Sequence, residues 1–291
     1  MTSQSNTDIQ FLTQYPSLSE DSSQASALVN VEVLAAQAIG IHPAAFSLFD
    51  QLSAPVRAEI EQKAAVFGGD WKAFYVETLL EQIIGQHQDG ADCRLLLMDV
   101  PLDQMAFLVG ALGYQERNPE LGLRGVARLQ HPHYRQVFEL QCELIKRCQQ
   151  AFGAEKVKAV FPFVRTLSEC ASLIDMLAEQ GLCRGYCGFE IYLKADLPAN
   201  LISAQTFLQY VDGMVIDTDR VAQFAQGLDI DHPDLTYLYD EQNDAVLELL
   251  ANGIAACQKV DKPCLVLNRQ IAKSPRMQAW LLEQGIEAVI C

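Results

Sequence analysis

The 291-residue sequence contains no apolar run approaching the roughly 20 residues that a membrane-spanning helix needs, so a transmembrane anchor is not expected. Its opening, Met1-Thr2-Ser3-Gln4-Ser5-Asn6, has neither a basic residue nor an apolar block. No signal peptide is therefore expected, and the cytoplasm is the expected location. Basic residues are scarce: 21 Lys and Arg stand against 37 Asp and Glu, a net charge of -16. Such a surface repels phosphate backbones and anionic lipid, which argues against nucleic acid and membrane as partners. An anionic ligand then needs a local cluster of Arg and Lys. There is no G-x-G-x-x-G after a strand-like run and no G-x-x-x-x-G-K-[ST], so neither a dinucleotide site nor a P-loop is supported. C-x-x-C is also missing. The nine cysteines are odd in number, and the closest pair, Cys183 and Cys187, lacks zinc-ribbon spacing; free thiols are expected.

Half of the residues are apolar, enough for a substantial core. Residues 1–26 are polar, with one short alternation at Ile9-Gln10-Phe11 that suits a first strand. Beyond them, short apolar runs alternate with amphipathic stretches. Strands are predicted at Leu28–Val33, Arg94–Met98, Val157–Phe163, Phe189–Leu193, Gly213–Ile216, Cys264–Leu267 and Ala288–Cys291. Helices are predicted over Thr166–Gln180, with Thr166 as N-cap and Glu169 completing a capping box, over Glu241–Gln258, and over Gln278–Gln284 before Gly285. Strands alternating with helices imply parallel pairing, and about eight such units fit an α/β fold of the (β/α)8 kind. A doubly wound open sheet is the alternative. Residues 34–91 are mostly helical and too long for one crossover, so they read as a helical insertion after the second strand, within a barrel spanning 27–291.

Several segments carry a resemblance. These are Ile39-Gly40-Ile41-His42-Pro43, Phe74-Tyr75-Val76-Glu77, Asn118-Pro119-Glu120-Leu121-Gly122-Leu123-Arg124-Gly125, Phe161-Pro162-Phe163-Val164-Arg165-Thr166 and Tyr239-Asp240-Glu241-Gln242-Asn243-Asp244-Ala245-Val246. In that order they resemble the I-G-I-H-P, F-x-V-E, N-P-M-L-G-x-R-G, I-P-F-x-R-T and F-D-E-R-N-D-A-V segments of the C-terminal phosphoenolpyruvate-binding barrel of the phosphoenolpyruvate synthase family. The resemblance runs from about Thr7 to Cys291. It implies a phosphoenolpyruvate and pyruvate site, but the family's ATP-binding and phosphohistidine domains have no counterpart here. It also implies pairing of two barrels, since relatives often pair through this domain; the family continues past Gly285-Ile286 with a last helix while this chain stops at Cys291, which would expose an apolar strip that a neighbouring subunit could cover. A homodimer is therefore expected.

The resemblance can be followed onto single residues. The family's V-x-V-R-x-x-D, set on Asp99, puts Leu96 where the Arg belongs, with Arg94 two positions earlier on the same strand face. The L-G-x-R-G Arg is kept as Arg124, an expected ligand for phosphate or carboxylate. Lys158 is expected to add charge near the same strand end. The magnesium-binding Glu of M-x-E-I-P becomes Asp196 in Lys194-Ala195-Asp196-Leu197-Pro198. The second ligand, in I-G-S-N-D-L, falls in Ile216-Asp217-Thr218-Asp219-Arg220-Val221, where Arg220 replaces the Asp and Asp217 the Gly. Arg cannot bind magnesium and is expected to neutralise Asp196, Asp217 and Asp219 instead. Asp196 and Asp219 are the remaining metal candidates; Arg124, Lys158, Thr218, Asp219 and Arg220 are the anion-binding candidates. Leu267 stands where the family has its proton-donating Cys, and leucine has no proton to give. The expectation is a barrel that does not make phosphoenolpyruvate, with no cofactor unless Asp196 and Asp219 still hold Mg²⁺. It would bind a small anion such as phosphoenolpyruvate, pyruvate or a dicarboxylate in a regulatory role. The alternatives are altered chemistry on a 2-oxo acid, or a scaffold that pairs with a complete synthase.

Overall fold

A computed structural model describes residues 9–15, 26–111 and 116–291. The expected polar segment 1–26 lies largely outside the described residues. Eight parallel strands close on themselves in chain order, β8 pairing back onto β1. They are β1 Gln10–Tyr15, β2 Ser26–Asn30, β3 Cys93–Leu96, β4 Val157–Phe161, β5 Glu190–Ala195, β6 Gly213–Asp217, β7 Cys264–Leu267 and β8 Ala288–Ile290. The helices are α1 Val31–Ala38, α2 Ala54–Ala64, α3 Trp71–Gln86, α4 Gly125–Gln130, α5 Arg135–Phe152, α6 Leu167–Glu179, α7 Pro198–Ile202, α8 Ala204–Phe207, α9 Thr218–Gln226, α10 Asp244–Lys259 and α11 Pro275–Glu283. This is the expected (β/α)8 barrel, with α1 to α3 filling the long stretch between β2 and β3.

Two residue sets divide the core. Leu28, Leu96, Val160, Tyr192, Val215, Leu267 and Ile290 pack together inside the barrel. A much larger apolar set fills the layer between strands and helices. Strand side chains alternate, so residues two before or after an inner position also face inward. That rule puts Arg94, Lys158 and Glu190 below the inner apolar layer and Lys194 and Asp217 above it. These positions fix the chemistry of the two barrel ends.

Element ends differ from expectation for local reasons. The second strand stops at Asn30 rather than Val33, because the Asn30 side chain accepts a hydrogen bond from Val33 N at 3.1 Å and starts α1. The fifth strand runs on through Lys194 and Ala195, which pair with Val215 and Ile216 of β6. Thr166 caps α6, accepting from Glu169 N at 3.1 Å. The Glu169 carboxylate takes the Arg165 N–H at 2.7 Å instead of the Thr166 N–H, so half of the expected box is moved back one residue. One buried ion pair ties the insertion to the barrel. Arg128 of α4 meets Glu32 of α1 at 2.6 Å and also donates to the Val100 carbonyl at 2.6 Å. Val100 N donates to the same Glu32 carboxylate at 2.8 Å, so the loop after β3 is held at both its backbone groups.

Candidate functional site

The upper mouth of the barrel is built where β3, β5, β6 and β7 end. Asp99 follows β3 across a turn at Met98, whose φ is 57°. Arg124 reaches the same place from the loop before α4. Its guanidinium donates to the Asp99 carbonyl at 2.7 Å and to the Glu120 carboxylate at 3.2 Å, and lies 4.6 Å from the Phe163 ring centroid. Gly125 explains the glycine of the motif. It has φ +53°, and a Cβ there would stand 2.5 Å from both the Pro162 and Phe163 carbonyl oxygens. Only glycine lets this loop press so closely onto the end of β4 and carry Arg124 with it.

Lys194 is the residue the sequence reading passed over. It is 1% exposed and points inward two residues above Tyr192. Its ammonium lies 2.5 Å from Asp196, 2.8 Å from Asp217 and 3.1 Å from Asp99. The other Asp196 oxygen accepts the Phe163 N–H at 2.8 Å. Asp217 also caps α9, accepting from Arg220 N at 3.1 Å. Burial acts to lower the Lys194 pKa, but Asp196, Asp217 and Asp99 together outweigh it and hold the amine above the ordinary lysine range. Burial raises Asp196, helped by its neighbours Asp99 and Asp217. A lysine inside an apolar strand, two residues before an aspartate, was the available signal: that spacing puts both on one face.

The remaining expected residues fall as follows. Arg220 makes its direct ion pair with Glu120, which also accepts from Gln223 at 3.1 Å, while the charges of Asp217, Asp99 and Asp196 reach it without an ion-pair contact. Asp219 turns away from Asp196. It accepts the Arg269 N–H and Nε–H, both at 3.1 Å, and the Tyr239 hydroxyl at 3.1 Å. Burial and then the nearby Asp217 charge raise its pKa. Thr218 spends its hydroxyl on the wall of the mouth, donating to the Leu267 carbonyl at 3.2 Å and accepting from Asn268 at 2.8 Å. Leu267 is 5% exposed and belongs to the inner apolar layer. Lys158 is not at this mouth. It stands near the start of β4 and reaches the Glu155 carbonyl at 2.6 Å and Glu190 at 3.1 Å, at the opposite end of the barrel. Arg94, its neighbour in register, pairs with Asp92 at 2.6 Å and does not stand in for Leu96. The strand directions make this unavoidable: Lys158, one step into the strand, lies three residues, or about 10 Å, below its C-terminal end.

Five carboxylates, Asp99, Glu120, Asp196, Asp217 and Asp219, thus face four cations, Arg124, Lys194, Arg220 and Arg269. Magnesium needs oxygens converging on one point free of other cations. Asp196 is engaged by an ammonium, Asp219 by a guanidinium, and the two are turned to different partners; as arranged they do not fit the ion. Among the described residues no group of three or more His, Cys, Asp or Glu is set to hold a metal ion. Beside the mouth lies a cavity of about 620 Å³, lined by residues 239–242 and by Gln270, Lys273 and Arg276. Gln242 lines it at the Arg position of the F-D-E-R-N pattern. Lys273 and Arg276 are exposed and have no ion-pair partner among the described residues.

Comparison with known proteins agrees with this architecture. Residues 22–291 match the family model described as PEP-utilising enzyme, PEP-binding domain. Phosphoenolpyruvate synthase of Pseudomonas aeruginosa is 36% identical over 266 residues, covering 90% of this chain and 34% of that protein. The synthase of Escherichia coli is 34% identical with the same coverage, and that of Neisseria meningitidis 33% over 92% of this chain. The chain therefore spans about a third of the length of the curated relatives it matches. No helix among the described residues is long and apolar enough to cross a membrane. With eight parallel strands closed into a barrel and a match over nearly its whole length, the chain belongs to the family of phosphoenolpyruvate-binding domains of the PEP-utilising enzymes.

Proposed function

We propose that this barrel is a non-catalytic member of its family that binds a small anion in a regulatory role, without magnesium. One observation carries the reading: the cations of the mouth already have carboxylate partners, with Leu267 where the resemblance calls for a proton donor. An anion entering the mouth itself would have to break ion pairs. In the adjoining cavity Lys273 and Arg276 offer charge without that loss. Tyr239 joins the two places, lining the cavity and donating to Asp219. Phosphoenolpyruvate, pyruvate and dicarboxylates such as oxalate and malonate are small enough to enter this cavity and carry the charge that Lys273 and Arg276 would meet, with Asp240 and Glu241 on the same lining.

Calorimetry and thermal-shift titrations with these four compounds test the reading, because a ligand that binds the folded state raises apparent stability. The expected result is binding of at least one of them, unchanged by Mg²⁺ and abolished by Lys273→Glu with Arg276→Glu. Absence of binding by all four, with intact fold, counts against it. A second reading is then favoured by the closed mouth: a scaffold that pairs with a complete synthase. Phe107 and Leu121, on the loop between β3 and α4, are 79% and 55% exposed and would supply apolar contact. Sedimentation of the chain alone and mixed with a synthase separates a homodimer from that mixed complex.

A further inference from the structure

Asp99, Asp196 and Asp217 come from the ends of three different strands, yet one oxygen of each lies within 3.1 Å of a single point. Three carboxylates do not converge in a buried place without a cation between them, because each unpaired buried charge costs several kcal/mol. We infer that Lys194 is the resident cation of the mouth, its ammonium filling the point on which these carboxylates converge and closing that point to a divalent ion.

The geometry is that of an ammonium site. Lysine has three N–H donors and no acceptor; two of them are donated here to Asp99 and Asp196, and Asp217 stands at ion-pair distance from the same ammonium. Separations of 2.5 to 3.1 Å are those of charged hydrogen bonds, longer than the roughly 2.0–2.1 Å that magnesium demands. Among the described residues no other cation lies this close to all three carboxylates: Arg124 reaches the Asp99 carboxylate only at 3.9 Å and is engaged by the Asp99 carbonyl and Glu120, Arg220 pairs with Glu120, and Arg269 with Asp219. Asp217 and Lys194 also explain each other. Each is charged where the resembling patterns have Gly and Met, and they meet at 2.8 Å, so the two departures form one ion pair. A charge tethered to β5 does not depend on the ion content of its surroundings. The mouth then keeps its charge balance without metal, whether or not the adjoining cavity takes an anion.

Manganese serves as the probe, since its electron spin reports binding directly. The unaltered chain is expected to take up no Mn²⁺ that Asp196→Asn removes, and its melting temperature should be indifferent to EDTA. Lys194→Met keeps the length of the side chain without the charge. This variant is expected to bind one Mn²⁺ per chain, to melt several degrees higher with Mn²⁺ than with EDTA, and to lose both properties when combined with Asp196→Asn. A folded Lys194→Met that binds no Mn²⁺ overturns the inference, as does an unaltered chain that binds one Mn²⁺ at Asp196. Should the variant not fold under either condition, ¹⁵N spectra of lysine ammonium groups in the unaltered chain decide. One ammonium protected from exchange and not broadened by Mn²⁺ supports the inference; its absence or its broadening overturns it.

Discussion

The Lys194 ammonium and the Asp217 carboxylate meet at 2.8 Å across the neighbouring strands β5 and β6, and the same carboxylate group caps helix α9. One aspartate therefore supports both the charge balance of the mouth and the start of the following helix. The two roles can be separated. Asp217→Asn keeps a good N-cap and leaves Lys194 with Asp99 and Asp196, so it is expected to lower stability by only about 1 kcal/mol. Lys194→Met leaves three carboxylates without their central cation and is expected to cost about 3–5 kcal/mol in the absence of metal. Urea denaturation at neutral pH measures both. Equal losses would show that Lys194 is not the pivot of the cluster.

Leu267→Cys is expected to leave the chain without activity on pyruvate. A thiol would return at that position, but Lys194 and Arg220 still hold the carboxylates. The readout is exchange of the pyruvate methyl protons in D₂O followed by NMR, which needs neither ATP nor a phosphohistidine domain. Exchange above the buffer rate by the unaltered chain would revive the altered-chemistry reading.

His42 makes stability depend on pH. It is 7% exposed, accepts the Ala44 N–H on Nδ1 at 3.2 Å, and lies near Arg128. Burial, and then the Arg128 charge, lower its pKa from the ordinary 6.5 to about 4. The folded state keeps the ring neutral while the unfolded chain takes up a proton. Stability from this residue is therefore complete above about pH 6.5 and is lost as pH falls toward 4, by about 3 kcal/mol in all. His42→Asn preserves an acceptor for Ala44 and should flatten the slope between those limits in denaturant titrations.

Gly125→Ala is expected to destabilise the chain by about 1–3 kcal/mol through backbone strain, with more added by the collision with two carbonyl oxygens. Because Arg124 is its chain neighbour, the same change should loosen the guanidinium over Phe163. A crystal structure showing Arg124 unmoved, together with unchanged stability, would refute the close-packing account of the motif.

Much of the barrel was legible in the sequence. Short apolar runs separated by amphipathic helices set its class, and the Gly285 and Thr166 signals placed helix ends within a residue or two. Ordered motifs such as residues 118–125 and 161–166 located the loops that meet at the mouth, and the structure brings them into contact through Gly125 and Phe163. Leu96 and Leu267 were recognisable as apolar substitutes, and both lie in the inner layer. Charge partners were not legible. Arg220 was matched to the aspartates beside it in the chain; Asp217 and Asp196 do act on it through their charge, but its direct ion pair is with Glu120, a hundred residues away. Lys158 was placed at the wrong end, because nearness in sequence to a motif does not say how far along its strand a side chain sits. Sequence by itself determined the alternation that turned Lys194 and Asp196 to one face. Only the closed barrel decided that this face also meets Asp99 and Asp217, since strand tilt and stagger bring the ends of β3, β5 and β6 to one point, and no local rule of spacing encodes that convergence.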